Sequence, residues 1–423
     1  MQISPARIAA HDILLRIESY HAFSSVLLPQ CESELSERDA ALCHQIVLGV
    51  LRRKLYLDAR IRNYAGNKKL DLEVLTALRI GAYQLLELDR IPNHSAVNES
   101  VALVQRAKKT SAKGLVNAVL RRISSEETEG ESYSEEIVLS HPAWLLERWI
   151  GQFGHDRASK IAEANNEPAR SAYRFTANSP DTASLEGEPS QIAEGAFTVS
   201  RITTRLRQLS ESGAIYFQDE ASQLIANLVS IPNGGRFLDV CAAPGGKTAL
   251  VAAKHINSSP FIVAGDLHHQ RVQFLRANCI IQGVSNICPV QYDAAGSLPF
   301  ADGSFDSILL DAPCSGTGTI RSNPEIRYFL RPEDILDLSR KQLAILRNAS
   351  KLLKPGGKLF YSTCSLEREE NEDVIKQFLA EVVDFESKKP DVDARFITDN
   401  GFGRTFPDRE GTDGFFFAVL ARR

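Results

Sequence analysis

From about residue 233 the hydrophobic pattern changes period, and that change limits the fold more than any other feature. Short apolar runs at 236–241, 261–265, 287–291, 307–310 and 358–361 alternate with stretches of helical spacing. One helical stretch covers 269–282. Another opens at Pro332, carries Ile335, Leu338, Ile345, Leu346 and Leu352, and is expected to stop at Pro355-Gly356-Gly357. A last apolar run occupies 415–420. Parallel neighbours need a crossover between them, so this alternation predicts a mostly parallel sheet with helices on both faces. The expected fold of 231–423 is an α/β, Rossmann-like domain. Ligands of such sheets bind beyond the carboxyl ends of the strands, and the motifs described below fall at those ends.

The front of the chain has a different period. Within 1–125, Leu75, Leu78, Ala82 and Leu86 repeat at helical spacing, as do Val97, Val101 and Val104. Pro92 and Asn93 break the pattern, and Ser95 is expected to cap the next helix. This part reads as an all-α domain. The acidic stretch SSEETEGESYSEE has no apolar periodicity, and 126–136 is assigned to a linker. Residues 137–230 are expected to form a small α+β domain, with Trp144, Leu145, Trp149 and Ile150 on one helix face.

The seven cysteines include no C-x-x-C pair, which argues for a reducing, cytoplasmic setting without a disulfide framework or structural metal. No apolar run reaches the ~18 residues of a membrane span, and Met1 to Arg7 contains no signal-peptide core. A monomer is expected. The net charge of −4 disfavours nucleic acid taken whole, but 1–125 holds 18 Lys and Arg against 12 Asp and Glu. Arg52, Arg53, Lys108, Lys109, Arg121 and Arg122 are expected to cluster on one face and meet phosphates.

The first strand runs into Cys241-Ala242-Ala243-Pro244-Gly245-Gly246-Lys247-Thr248. Small residues let a ligand approach the backbone, and the following helix presents free N–H groups. Gly246-Lys247-Thr248 ends like a phosphate-binding Walker A loop, but the glycine that such a loop requires is replaced by Cys241. The alternative is the loop that wraps the amino-acid end of S-adenosylmethionine. The longer string from Leu238 to Thr248 resembles motif I of the RNA cytosine-5 methyltransferases. That resemblance implies that Cys241, Ala242, Ala243, Pro244, Gly245, Gly246 and Lys247 line the cofactor. Asp266 and Asp293 close the next two strands, where carboxylates can meet ribose hydroxyls and the adenine amino group. The family pattern assigns both to S-adenosylmethionine, and Asp311 lies near it.

Two cysteines follow successive strands, in Asp311-Ala312-Pro313-Cys314-Ser315-Gly316 and in Ser362-Thr363-Cys364-Ser365. If these strands are neighbours, ~4.8 Å apart, both thiols reach one base. Cytosine C5 is a poor nucleophile until a thiolate adds to C6, so a thiol gives covalent catalysis. A carboxylic acid at N3 eases that addition, and Asp311 is the candidate. Spacing leaves open which cysteine attacks. DNA cytosine-5 methyltransferases use the Cys of a Pro-Cys motif, which would be Cys314. Similarity to the RNA enzymes implies instead that Cys364 is the nucleophile and that Cys314 resolves the adduct.

Further strings extend the resemblance: Gly318-Thr319-Ile320-Arg321, Asn323-Pro324-Glu325-Ile326, the run from Phe217 to Gln223, and Asp413-Gly414-Phe415-Phe416. Residues 1–125 resemble the NusB-type RNA-binding domain, through Glu37-Arg38-Asp39, Leu48-Gly49-Val50-Leu51-Arg52, and the run from Leu78-Arg79-Ile80 to Val119-Leu120-Arg121. A NusB-like front on such a catalytic back is similar to the Sun/Fmu methyltransferases, which implies 16S ribosomal RNA as substrate. One departure is Arg174-Phe175-Thr176, where the family has Arg-x-Asn; Asn178 lies nearby. A P-loop ATPase, and an assembly factor without catalysis, are the rival readings. The first gives no role to either cysteine motif, and the second leaves two thiols and a set of strand-end carboxylates without one.

Overall fold

The computed structural model describes residues 3–423 apart from 33, 67–68, 126–132 and 180–185. The assigned linker therefore lies outside the described residues except at its end, where a helix begins at Glu135. The chain forms two compact units. One comprises Met1–Pro168 with Ile320–Leu330, and the other Ala169–Thr319 with Arg331–Arg423.

The first unit is helical. Helices Pro5–Tyr20, Glu37–Arg52, Lys54–Ala65, Leu72–Glu87, Asn93–Arg106 and Lys113–Ser125 enclose a core that includes Ile13, Ile17, Ile46, Val47, Leu78, Leu103 and Leu120. Helix Leu72–Glu87 is central, and Val74, Ala77, Leu78, Ile80 and Ala82 on it are all buried. Its close approach to Glu37–Arg52 depends on Gly49, where an added Cβ would lie 1.9 Å from the Tyr83 ring. Ser95 does not cap the next helix. That helix starts at Asn93 after Pro92, and the Ser95 hydroxyl donates to Glu99 Oε1 at 3.0 Å.

Helices Ala143–Phe153 and His155–Asn166 also belong to this unit, with Leu145, Leu146 and Trp149 buried. The first compact unit thus runs on to Pro168. Helices 143–166 have an apolar stripe and no sheet of their own, so they pack with other helices. Residues 320–330 complete the unit. Buried Arg327 donates from Nη1 to Ser140 O at 3.1 Å and to Asn166 Oδ1 at 2.8 Å, and from Nη2 to Asn165 O at 3.2 Å. Buried Glu325 accepts from Ser24 N at 2.6 Å and from Ser24 Oγ at 2.9 Å.

Arg52 corrects one sequence expectation. It is buried, its Nη2 donates to Arg321 O at 3.2 Å, and burial lowers its pKa to about 10. It cannot meet a phosphate. Arg53 pairs with Glu87 and Lys109 with Asp71, whereas Lys108, Arg121 and Arg122 are exposed.

The second unit holds two sheets. Strands β1 (Ser171–Phe175), β2 (Glu188–Pro189), β3 (Ala196–Val199) and β4 (Ile215–Phe217) form an antiparallel sheet in the order β2-β3-β1-β4. The larger sheet contains β5 (Arg236–Asp239), β6 (Phe261–Asp266), β7 (Ile287–Gln291), β8 (Phe305–Asp311), β9 (Leu353–Thr363), β10 (Phe385–Lys388), β11 (Gly403–Arg404) and β12 (Phe416–Arg422). Its order is β10-β12-β9-β8-β5-β6-β7, with β11 beside β12. Strands β5 to β9 run parallel, and β12 returns antiparallel along β9. Leu238, Val263, Ile308, Leu310 and Leu359 face one apolar layer and Phe237, Ile262, Leu309 and Phe360 the other. The alternation arises because helices cover both faces of the sheet.

Helix Pro332–Lys351 ends earlier than expected. Pro355-Gly356-Gly357 lies inside β9, because buried Leu353 already pairs with Phe305. The turn residues bend a strand there and do not stop the helix.

Candidate active site

The parallel register sets the site. Asp311 at the end of β8 lies beside Ser362 of β9, so the two cysteine turns leave the sheet side by side. The Cys314 and Cys364 sulfurs are 3.2 Å apart. Main-chain bonds fix both turns: Ala312 N donates to Ser362 O at 2.8 Å and Gly318 N to Cys364 O at 2.9 Å. Gly318 must be glycine, since a Cβ there would come within 1.9 Å of Gly414 O. The hydrogen bond to Cys364, together with burial, pushes the Cys314 thiol well above its ordinary range.

Asp311 is held on both oxygens. Lys247 Nζ donates to Oδ2 at 2.7 Å, and Ser362 Oγ to Oδ1 at 2.7 Å. Burial would discharge Lys247, but the Asp311 carboxylate outweighs it and raises the amine's pKa, with Cys364 and Asp239 adding to the effect. A fixed positive charge thus stands beside the cysteine pair.

The loop after β5 builds the neighbouring cleft, which is open to solvent and has a volume of about 120 Å³. Cys241, Ala242, Ala243, Pro244, Gly246, Lys247 and Asp311 line it. Gly245 underlies them at φ +102°, where a Cβ would press on Leu275 at 2.9 Å. Helix Gly246–Lys254 starts at the cleft wall. Asp239 also lines the cleft. Its Oδ2 accepts from Thr248 Oγ1 at 2.7 Å, and its Oδ1 is buried without a partner. Burial raises its pKa to about 7, against the Thr248 hydrogen bond. An unpartnered buried carboxylate oxygen beside free helix N–H groups suits a ligand that carries an ammonium and a carboxylate. The amino-acid end of S-adenosylmethionine fits that description.

Two sequence-predicted residues lie off this cleft. Asp266 is buried at the end of β6, accepts from His268 N at 3.3 Å and pairs with Arg271 at 3.4 Å. Asp293 is exposed beyond β7, with Oδ1 taking Ala295 N at 2.9 Å in a turn. Sequence reasoning missed Asp239, Tyr216, Gln218 and Ser222 on the cleft wall. Asp239 was legible as an acid inside an apolar run. Arg174 was met only as part of a departing motif. It is buried, and its guanidinium donates to Gly246 O at 2.9 Å, Gln282 Oε1 at 2.6 Å and Gln218 Oε1 at 2.9 Å. It therefore ties β1 to the loop after β5. Thr176, in place of Asn, donates to Gly213 O at 2.5 Å, while Asn178 bonds Ile281 O.

Among the described residues, no cluster of His, Cys, Asp or Glu could hold a metal, and no helix is long and apolar enough to cross a membrane.

Comparison with known proteins identifies the family. Residues 226–421 match the family described as 16S rRNA methyltransferase RsmB/F, and residues 4–125 match the NusB family. The probable ribosomal RNA small subunit methyltransferase B of Bacillus subtilis (strain 168) is 32% identical over the full length of both chains. The ribosomal RNA small subunit methyltransferase B of Klebsiella pneumoniae (strain ATCC 700721) is 33% identical over 98% of this chain and 97% of that one. The crystal structure of PH0851 superposes over 100% of both chains at TM-score 0.85 and 24% identity, a likeness of fold. A methyltransferase homolog protein from Pyrococcus horikoshii, 28% identical, covers 68% of this chain and 98% of its own at TM-score 0.58. The chain therefore belongs to the RsmB/F family of S-adenosylmethionine-dependent methyltransferases, with a NusB-like front.

Proposed function

We propose that this enzyme methylates C5 of a specific cytosine in 16S ribosomal RNA, as a cytoplasmic monomer and without a metal, through a covalent bond between Cys364 and C6. The observation that carries this reading is the 3.2 Å approach of two thiols beside the Lys247–Asp311 pair. S-adenosylmethionine supplies an electrophilic methyl group on a sulfonium. Asp239, Lys247 and the backbone of 241–246 would hold its amino-acid end, and Asp266 and Asp293 its nucleoside.

The Cys364 sulfur pair forms the bond to C6. The C5–C6 π pair shifts between C5 and C4, and the C4–N3 π pair moves onto N3, which takes a proton from water. Asp311 holds that proton on N3, and Lys247 keeps Asp311 oriented. The C4–C5 π pair then bonds C5 to the methyl carbon, the N3 lone pair re-forms the C4–N3 π bond, and the sulfonium bond pair leaves with the sulfur. On release the hydroxide left by N3 protonation takes the C5 proton, the C5–H pair re-forms the C5–C6 π bond, Cys364 departs with the S–C6 pair, and the N3 proton passes to water. Cys314 serves this last step. C6 is shielded inside a duplex, so the target cytosine lies in a loop or is flipped out.

The test uses methyl-labelled S-adenosylmethionine and unmodified small-subunit ribosomal RNA, free and partly assembled. The expected result is labelled 5-methylcytidine, lost in Cys364→Ala and replaced by a trapped protein–RNA adduct in Cys314→Ala. An adduct-free, inactive Cys314→Ala would exchange the two roles. No label from the wild type on any of these RNAs would remove the reading.

A further inference from the structure

Cys314 and Cys364 sit on turns from different strands, yet a single buried side chain touches the residue after each. Glu370 is fully buried beneath the turns. Its Oε1 accepts from Ser315 N at 2.9 Å and from Gln342 Nε2 at 2.8 Å. Its Oε2 accepts from Ser365 Oγ at 2.5 Å and from Ser315 Oγ. The two hydroxyls are themselves 3.1 Å apart. Gln342 also donates to Pro313 O at 3.0 Å, one residue before Cys314, and Tyr361 OH donates to Glu370 O at 2.7 Å.

We propose that Glu370 is a positioning residue: by binding Ser315 and Ser365 together, it sets the separation of the two thiols. The proposal rests on the cysteine mechanism above for its catalytic consequence. Burying a carboxylate is costly, and four donors converge on this one in a place where apolar packing would serve a core. The purchase on geometry is direct, because each serine is covalently next to its cysteine. A shift of one turn by ~1 Å would displace the attacking sulfur, and misplacement on that scale costs about a hundredfold in rate.

Gln and Ala separate this role from general stability. A Gln carbonyl can replace Oε1 for Ser315 N and Gln342, and its amide can donate to the two hydroxyls, which also accept. Ala offers neither. Two readouts are needed in the full-length protein. The first is the rate of adduct formation with small-subunit ribosomal RNA containing 5-fluorocytidine, whose C5–F bond blocks release. The second needs no RNA: diamide takes the two thiol hydrogens and joins Cys314 to Cys364 as a disulfide, at a rate that reports their proximity.

Glu370→Ala is expected to slow both rates by about ten- to a hundredfold. Its affinity for S-adenosylmethionine should stay within about threefold of wild type, since the carboxylate touches no part of that cleft. Glu370→Gln should recover at least about tenfold of each loss. If Glu370→Ala fails to bind the cofactor through misfolding, the double variant Ser315→Ala with Ser365→Ala takes its place, with the same slowing expected. A cofactor-binding Glu370→Ala, or that double variant, with wild-type disulfide and adduct rates would overturn the proposal. So would a Glu370→Gln no faster than Ala. Absence of adduct in the wild type would defeat the cysteine mechanism instead, and the disulfide rate would still decide the clamp.

Discussion

Lys247 Nζ stands 2.7 Å from Asp311 Oδ2 and shares its field with Cys364. This pair joins the 241–247 loop to the thiol turns. Lys247→Met removes the charge at little change in length. Adduct formation is expected to fall by about ten- to a hundredfold, because Asp311 loses the donor that orients it. Stopped-flow trapping with 5-fluorocytidine RNA measures the rate. An unchanged rate would show that Lys247 serves cofactor binding alone.

Asp239 gives a trade between stability and binding. Its carboxyl is raised from the ordinary range to about 7, so the folded state resists its ionisation. For a raised acid, the cost is absent below the unfolded value and complete above the folded one; it accumulates as pH rises through the interval. Asp239→Asn should therefore raise Tm at pH 8 by a few degrees, about 3 °C or more, and by much less at pH 4. It should also weaken S-adenosylmethionine binding by about tenfold or more, because a charged partner for the ammonium is lost. Calorimetry at both pH values measures each arm.

Arg327 gives a stability prediction for the helical unit. Four acceptors or ring contacts surround its guanidinium, and burial lowers its pKa to about 10. Arg327→Met should destabilise the protein by about 2–4 kcal/mol, since hydrogen bonds to buried charges are lost and their partners are stranded. Urea unfolding measures this. The isolated fragment 1–168 should likewise unfold at lower urea than the same fragment supplied with a 320–330 peptide.

The exposed cations divide from the buried one. Charge reversal at Lys108, Arg121 and Arg122 should weaken RNA binding and flatten its dependence on log salt by roughly one per lost phosphate contact. Arg52→Ala should lower Tm and leave the salt slope unchanged. Filter binding at several salt concentrations tests both. A slope insensitive to the triple reversal would place the RNA on another face.

The sheet was legible because its strands are short apolar runs broken by helical stretches, and that pattern survives with shifts of a residue or two at most ends. Both cysteine turns and the 241–247 loop could be placed at strand ends for the same reason. The helix expected to end at Pro355 misled because turn residues carry no information on which element they bend. The boundary near 168 and the membership of 320–330 were hidden, since they depend on contacts hundreds of residues apart, such as Ser24 with Glu325. Arg52 reads as an ordinary surface cation until Arg321 O is found against it. Glu370 sits in a charged run, Glu367-Arg368-Glu369-Glu370, where periodicity cannot tell a solvated acid from a buried one.

Because residues 320–330 finish the helical unit, the order of synthesis matters. On the ribosome the first 168 residues emerge with Ser24 still lacking Glu325, and Ser140 and Asn166 still lacking Arg327. Their last partners arrive only when most of the second unit has been translated. The part of the protein made first is completed late, and a nascent chain halted before residue 320 exposes an unfinished front to chaperones and proteases.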